Sequence, residues 1–160
     1  MKRWIIYVVS GLVLLALWAS FDLYWHVRSQ QRNVTAQGTE LAHEKTQIQE
    51  IDEVDTFHGK EDYLVVQGRT GQGQKQIAWF KDGAVDVENT DRVVSKESVI
   101  QAIKKENPQT EFVHVIPGKT GNDKFWEVLF LDKEHRFNYY YFDMHTGRFI
   151  KSYRLLKATS

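Results

Sequence analysis

The chain has 160 residues, 42% of them hydrophobic and 13% aromatic, with 21 Lys+Arg against 21 Asp+Glu. That balance fits a folded protein with one ordinary core or two small ones, and excludes a disordered chain or a large multidomain enzyme. Zero formal net charge provides no bulk field toward nucleic acid, so none is expected as a partner, and the absence of Cys removes disulfides, thiol nucleophiles, Cys-ligated zinc and iron–sulfur clusters.

After Lys2 and Arg3, the stretch from Trp4 to Phe21 contains no charged residue. As a helix its 18 residues span roughly 27 Å, close to the ~30 Å hydrocarbon thickness of a bilayer. Trp4 and Tyr7 at one end and Trp18, Phe21 and Trp25 at the other match the aromatic belts of a membrane span. A cleaved signal peptide shares the basic start, but its apolar region is shorter and small residues line its cleavage site, where this chain has bulky rings. The expectation is therefore an anchor over residues 1–28 with a cytoplasmic N-terminus and the remaining chain outside the cell. A buried core helix is disfavoured, because a segment apolar on every side needs a larger protein around it.

Residues 28 to 39 are polar and read as a stalk, and Gly38 argues against a helix running through it. Thr39 is a candidate N-cap for a thin helical pattern, Leu41, Ala42 and Ile48, reaching residue 50. Strand patterns follow at residues 52–58, 62–69, 74–81 and 84–88, separated by His58-Gly59-Lys60, Thr70-Gly71-Gln72-Gly73 and Lys81-Asp82-Gly83, which are hairpin turn signals. Ser95 then reads as the N-cap of a helix whose apolar stripe, Val99, Ala102 and Ile103, stops at Asn107-Pro108. Further strands are predicted at residues 111–116, 124–131, 136–143 and 148–155.

The exported part therefore repeats helix-then-strands at a spacing near 62 residues, with Phe80 matching Phe142 and Tyr63 matching Phe125. The predicted fold class is α+β, with an anchor, a stalk and first unit over residues 29–91, and a second unit over residues 92–160. Each unit is a helix on an antiparallel sheet. Residues 33–91 carry 12 acidic and 5 basic residues, and residues 92–160 carry 8 acidic and 12 basic. Such opposite charges orient the units against each other or against a partner.

Catalytic signals are weak. The six His residues show no metal-ligand spacing, so no metal site or cofactor is expected. Neither Ser95 nor Ser98 stands in a nucleophile motif. The carboxylates Glu50, Asp52, Glu53, Asp55, Glu61 and Asp62 would suit a glycosidase only in a cleft, and their alternation reads as the wet side of a hairpin. Aromatic residues carry more information. In residues 125–131 only Glu127 is polar, and in residues 137–142 only Asn138 lacks a ring. Alternate residues point to opposite faces, so both faces of this sheet are apolar while one helix covers one of them. The uncovered face must meet the first unit or a partner, and the candidate contact residues are Trp79, Phe80, Trp126, Tyr139, Tyr140 and Tyr141.

The block from Asp52 to Gly68 (DEVDTFHGKEDYLVVQG) resembles the TseB-like family of cell-wall elongation regulators of Gram-positive bacteria, as do Phe125-Trp126-Glu127-Val128, Tyr141-Phe142-Asp143 and Thr146-Gly147, whose pattern is also similar to the PepSY motif. The resemblance extends from the anchor to about Tyr153. It implies a single-pass membrane protein with two tandem PepSY-like, cystatin-like units outside the cell. Such a protein acts without catalysis on a penicillin-binding protein, a monofunctional transpeptidase of the elongation machinery. Inhibition of an extracellular protease by the PepSY-like units is the second reading, and a wall hydrolase built on the acidic cluster is the third.

Overall fold

A computed structural model of the chain describes residues 33–155 and the helical positions Leu15, Leu17 and Trp18. Trp18 is exposed; Trp4, Tyr7, Phe21 and Trp25 lie outside the described residues. Among the described residues no helix is long and apolar enough to cross a membrane.

Residues 33–45 are helical (α1) and precede a four-stranded antiparallel sheet in meander order, β1 (Ile48–His58), β2 (Asp62–Thr70), β3 (Lys75–Lys81) and β4 (Ala84–Asn89). Two expectations change here. Residues 33–38 are already helical, so Thr39 is no cap, and the helix runs through Gly38. At that position a Cβ would lie 2.6 Å from Val54 Cγ1, so glycine lets the helix approach the sheet closely instead of breaking it. Ile48 belongs to β1, not to the helix, and its side chain is buried with Ala42, Val66, Ala78 and Phe80. The β3–β4 turn is a two-residue connection through Asp82 and Gly83, both at positive φ (48° and 80°), the geometry that matches strand twist and favours Asp-Gly.

After a short 3₁₀ turn at Thr90–Arg92, helix α2 (Lys96–Glu106) is capped by Ser95, whose hydroxyl accepts from the Ser98 N–H at 3.2 Å. Its buried residues are Val99 and Ile103, with Ile100 packed against the core. Ala102 is exposed, contrary to the predicted stripe. At 100° per residue the buried sector centres between Val99, Ile103 and Ile100, and Ala102 falls outside it.

A second meander follows, β5 (Glu111–Thr120), β6 (Asp123–Leu131), β7 (Phe137–Asp143) and β8 (Phe149–Arg154). The repeat is visible in register. Leu64 pairs with Phe80 and Val65 with Trp79 in the first sheet, and Trp126 pairs with Phe142 and Glu127 with Tyr141 in the second, each partner 62 residues on. The α+β class and the helix-plus-meander plan of each half are therefore present in the described residues.

Each sheet has one face under its own helix. In the first, Leu64, Val66, Ala78 and Phe80 lie with Leu41 and Ala42 of α1. In the second, Trp126, Val128 and Phe130 share a face with Tyr140 and Phe142. The chain enters α2 past Val94, whose carbonyl accepts from Trp126 Nε1 at 2.8 Å, and leaves it at Asn107 and Pro108 beside Phe130 and Tyr140.

Candidate interaction face

The face of the first sheet turned away from α1 carries Phe57, Tyr63, Val65, Ile77 and Trp79. All are buried in one cluster with Val99, Ile103, Val115, Ile116, Phe125 and Trp126 of the second half. Trp79 Nε1 donates to the Pro117 carbonyl at 3.1 Å, and Phe57 meets Phe125 edge-on at 5.5 Å between centroids. At Gly118 a Cβ would lie 2.8 Å from Phe57 Cε2, so only glycine lets β5 cross this face.

The uneven charge of the two halves is used at this seam. Lys124 Nζ lies 3.0 Å from both Asp86 and Glu88 and 5.0 Å from the Trp79 ring centroid. Lys119 also pairs with Asp86, Lys96 pairs with Glu53 at 2.9 Å, and His145 lies 3.5 Å from Glu88. Each of these pairs takes its base from the second half and its acid from the first. Burial opposes ionisation of Asp86, but hydrogen bonds from Lys119 and Lys124 override it and hold the carboxyl below the usual range.

The corresponding face of the second sheet is built differently. Sixty-two residues after Val65, Ile77 and Trp79 stand Glu127, Tyr139 and Tyr141. The two tyrosines are only half-buried, and Tyr153 on β8, opposite Tyr139, is 53% exposed. The rings form a continuous file: Phe125 meets Tyr141 edge-on at 5.5 Å, and Tyr141 meets Tyr153 at 5.9 Å. Lys151 lies 4.9 Å and 5.2 Å over the rings of Tyr141 and Tyr153. Beneath the file the Glu127 side chain, 8% exposed, lies 3.2 Å from His114 Nε2. Burial, and then hydrogen bonding to Glu127, raises the Tyr141 hydroxyl well above the ordinary phenol range. Leu129, Leu131, Phe137 and Tyr139 of this face, and Tyr153, join no core cluster among the described residues.

The six aromatic candidates are thus dispersed. Trp79 is in the seam between the halves; Phe80, on the opposite face of β3, lies under α1. Trp126 is buried at the approach to α2. Tyr140 packs on the helix side, 5.0 Å from the Phe130 ring and 5.4 Å from Phe149. Only Tyr139 and Tyr141 share the open face. Tyr153, Lys151 and His114 complete it and were not singled out by sequence; the signal that finds Tyr153 and Lys151 is strand alternation carried one strand further, into β8.

The acidic cluster forms no open pair of carboxylates. Arg69 reaches Glu50 and Asp52, Lys96 and Gln67 reach Glu53, Lys81 and Tyr63 reach Glu61, and His58 reaches Asp62. The Lys81 and Tyr63 hydrogen bonds draw the Glu61 carboxyl down to about 2. Asp55 is the exception: one carboxylate oxygen is buried without a partner, and burial, then repulsion from Glu53, pushes its carboxyl up. A cavity of about 540 Å³ at the C-terminal end of α2 is lined by three acidic and three basic side chains, with Asp132 held by Arg136 and Asn138. Among the described residues no three His, Asp or Glu side chains gather at metal-binding distance.

Comparison with known proteins adds three findings. Residues 37–81 match the family model described as "Cell wall elongation regulator TseB-like domain". A Bacillus subtilis (strain 168) protein, "Probable cell wall elongation regulator TseB", is 29% identical over 155 residues, covering 94% of this chain and 96% of the relative. The solved structure of the YpmB protein from Bacillus subtilis superposes with a TM-score of 0.62 at 28% identity, covering 73% of this chain and 94% of that one. The domain match, the curated relative and the solved fold agree in what this chain is similar to: TseB and YpmB of Bacillus subtilis, the first of which is described as a probable cell wall elongation regulator.

Proposed function

We propose that the chain is a non-catalytic regulator of cell-wall elongation that binds a penicillin-binding protein, a monofunctional transpeptidase, outside the cell. Its N-terminal apolar stretch tethers it to the cell membrane, and the two repeats are PepSY-like, cystatin-like units of which the second presents the contact face. One observation carries this reading. The face that the second half buries in the first repeat is covered in the second only at Ile116, Phe125 and the inner side of Tyr141, and beyond them it presents the half-buried Tyr139 and the exposed Tyr153. Tyrosine supplies large contact area at low entropic cost while tolerating water when no partner is present. The carboxylates of residues 50–62 favour binding over hydrolysis, because Asp52 and Glu53, which line one cavity of about 270 Å³, are held in ion pairs with Arg69 and Lys96. Tethering both partners to one membrane raises their effective concentration, so a modest interface suffices.

The test is crosslinking in intact cells followed by affinity capture of the full chain, with penicillin-binding proteins read by a fluorescent β-lactam. The wild type should recover a transpeptidase, and a Tyr139→Ser/Tyr153→Ser variant with unchanged melting temperature should lose it. Repeated capture without any β-lactam-labelled protein overturns the reading.

A further inference from the structure

We infer that the outer edge of β8 is a strand-addition site that accepts an extended acidic segment of a partner protein as a fifth strand of the second sheet. This deepens the reading above and rests on it for the partner being a protein.

The hydrogen-bond phase of β8 defines the site. The Leu155 N–H donates to the Phe137 carbonyl at 2.9 Å, which makes those residues a hydrogen-bonded pair. Antiparallel alternation then gives Tyr139 with Tyr153, and Tyr141 with Lys151, as the next bonded pairs, and turns the N–H and C=O groups of Ser152 and Arg154 outward. Among the described residues no strand pairs with that side. All six residues of β8 are exposed, and Phe149, Ile150, Tyr153 and Leu155 are each 50% exposed or more. An edge strand with these four large side chains exposed, no proline and no covering element among the described residues is a template for strand addition.

Charge selects the occupant. From Arg148 to Leu155 the chain carries Arg148, Lys151 and Arg154 and no acid. None of the three forms an ion pair among the described residues: Arg154 donates to Asn138 Oδ1 and Lys151 lies over two tyrosine rings. Pairing β8 with β8 of a second copy would bring six cations together without a counter-charge, so self-association is opposed. A strand with acidic side chains meets the same cations favourably. The β4 edge of the first sheet offers no such charge selection, because Asp86 and Glu88 are already neutralised by Lys119 and Lys124.

The probe is a synthetic eight-residue peptide of alternating Val and Glu, titrated into the isotope-labelled full chain in detergent. Ser152→Pro is the informative variant. It removes an outward N–H while leaving the bonds to β7 in place, a position where edge strands tolerate proline. Binding should shift and protect the Ser152 and Arg154 amides, weaken about tenfold in Ser152→Pro with the melting temperature retained, and weaken further as salt rises. A Val–Lys peptide should not bind. Absence of binding by the Val–Glu peptide, equal binding by the Val–Lys peptide, or an unchanged affinity in Ser152→Pro overturns the inference. In the cell-capture assay, a transpeptidase recovered equally by wild type and Ser152→Pro sinks the strand-addition site and spares the proposed function. Recovery of no transpeptidase alongside normal peptide binding does the reverse.

Discussion

Trp79→Phe tests whether the two repeats are one cooperative structure. The indole is 1% exposed and donates its N–H to the Pro117 carbonyl across the seam. Phenylalanine keeps an aromatic ring but leaves that buried carbonyl without its donor, at a cost of about 1–3 kcal/mol. The missing part of the ring system removes about 1 kcal/mol of apolar burial, and the weakened contact with Lys124 a few tenths more. The sum is about 2–4 kcal/mol. For a folded region of this size each kcal/mol lowers the melting temperature by about 3–5 °C, so a fall of about 6–20 °C is expected. Circular dichroism should record one transition, and native-state hydrogen exchange should show amides of β6 and β7 losing the same free energy as those of β2 and β3. A loss below about 1 kcal/mol, or early melting confined to the first sheet, would refute the account of the seam.

Asp55→Asn should raise the melting temperature at neutral pH. Folding raises the Asp55 pKa above its ordinary 3.8, so the folded state binds that proton more tightly. Its favourable contribution is complete below about pH 3.8 and lost as pH rises through the folded value, so the gain from Asn, measured across a pH series, should shrink toward about pH 4. Asp86 has the opposite sign: its depressed pKa stabilises the fold above about pH 3.8, and that share is lost as pH falls through the folded value. Lys124→Met should therefore cost about 1–3 kcal/mol in urea unfolding at pH 7 and flatten the acid limb of the stability curve. Gly118→Ala, whose methyl group would press on Phe57 and Phe125, should destabilise by about 1–3 kcal/mol by the same measurement.

Local rules of turn and cap chemistry made most elements legible in advance. Asp82-Gly83 and Ser95 sit where the turn and the cap were predicted, because both are decided by a residue's own backbone preferences. Gly38 reads locally as a helix breaker, whereas its role is set by Val54 and Val66, residues distant in sequence. Ile48 fits the helical pattern but lies in β1 for a related reason: one apolar residue at a helix–strand junction satisfies either period. The aromatic candidates show the deeper gap. Alternation correctly separates Tyr139 and Tyr141 from Tyr140, and Trp79 from Phe80, but it does not say which of two apolar faces a helix will cover. That depends on the path of the chain from β4 through Val94 into α2, which places α2 over Trp126 and leaves the tyrosine side open.

The chemical difference between the two equivalent faces follows from what each must do alone. Val65, Ile77 and Trp79 are tied to their cover by the same chain, so they never face water in the folded state and gain from being fully apolar. Glu127, Tyr139 and Tyr141 have no such covalent guarantee. A face as apolar as the first would be a permanent aggregation hazard whenever unpartnered. Phenol groups and a carboxylate held by His114 reduce that hazard while keeping the rings available. Polarity lowers the affinity such a face can reach, and a tether restores it by raising local concentration. On the proposed function, in which the apolar N-terminal stretch is the tether, the half-buried tyrosines and the exposed basic edge beside them are parts of one arrangement that holds to a partner kept nearby.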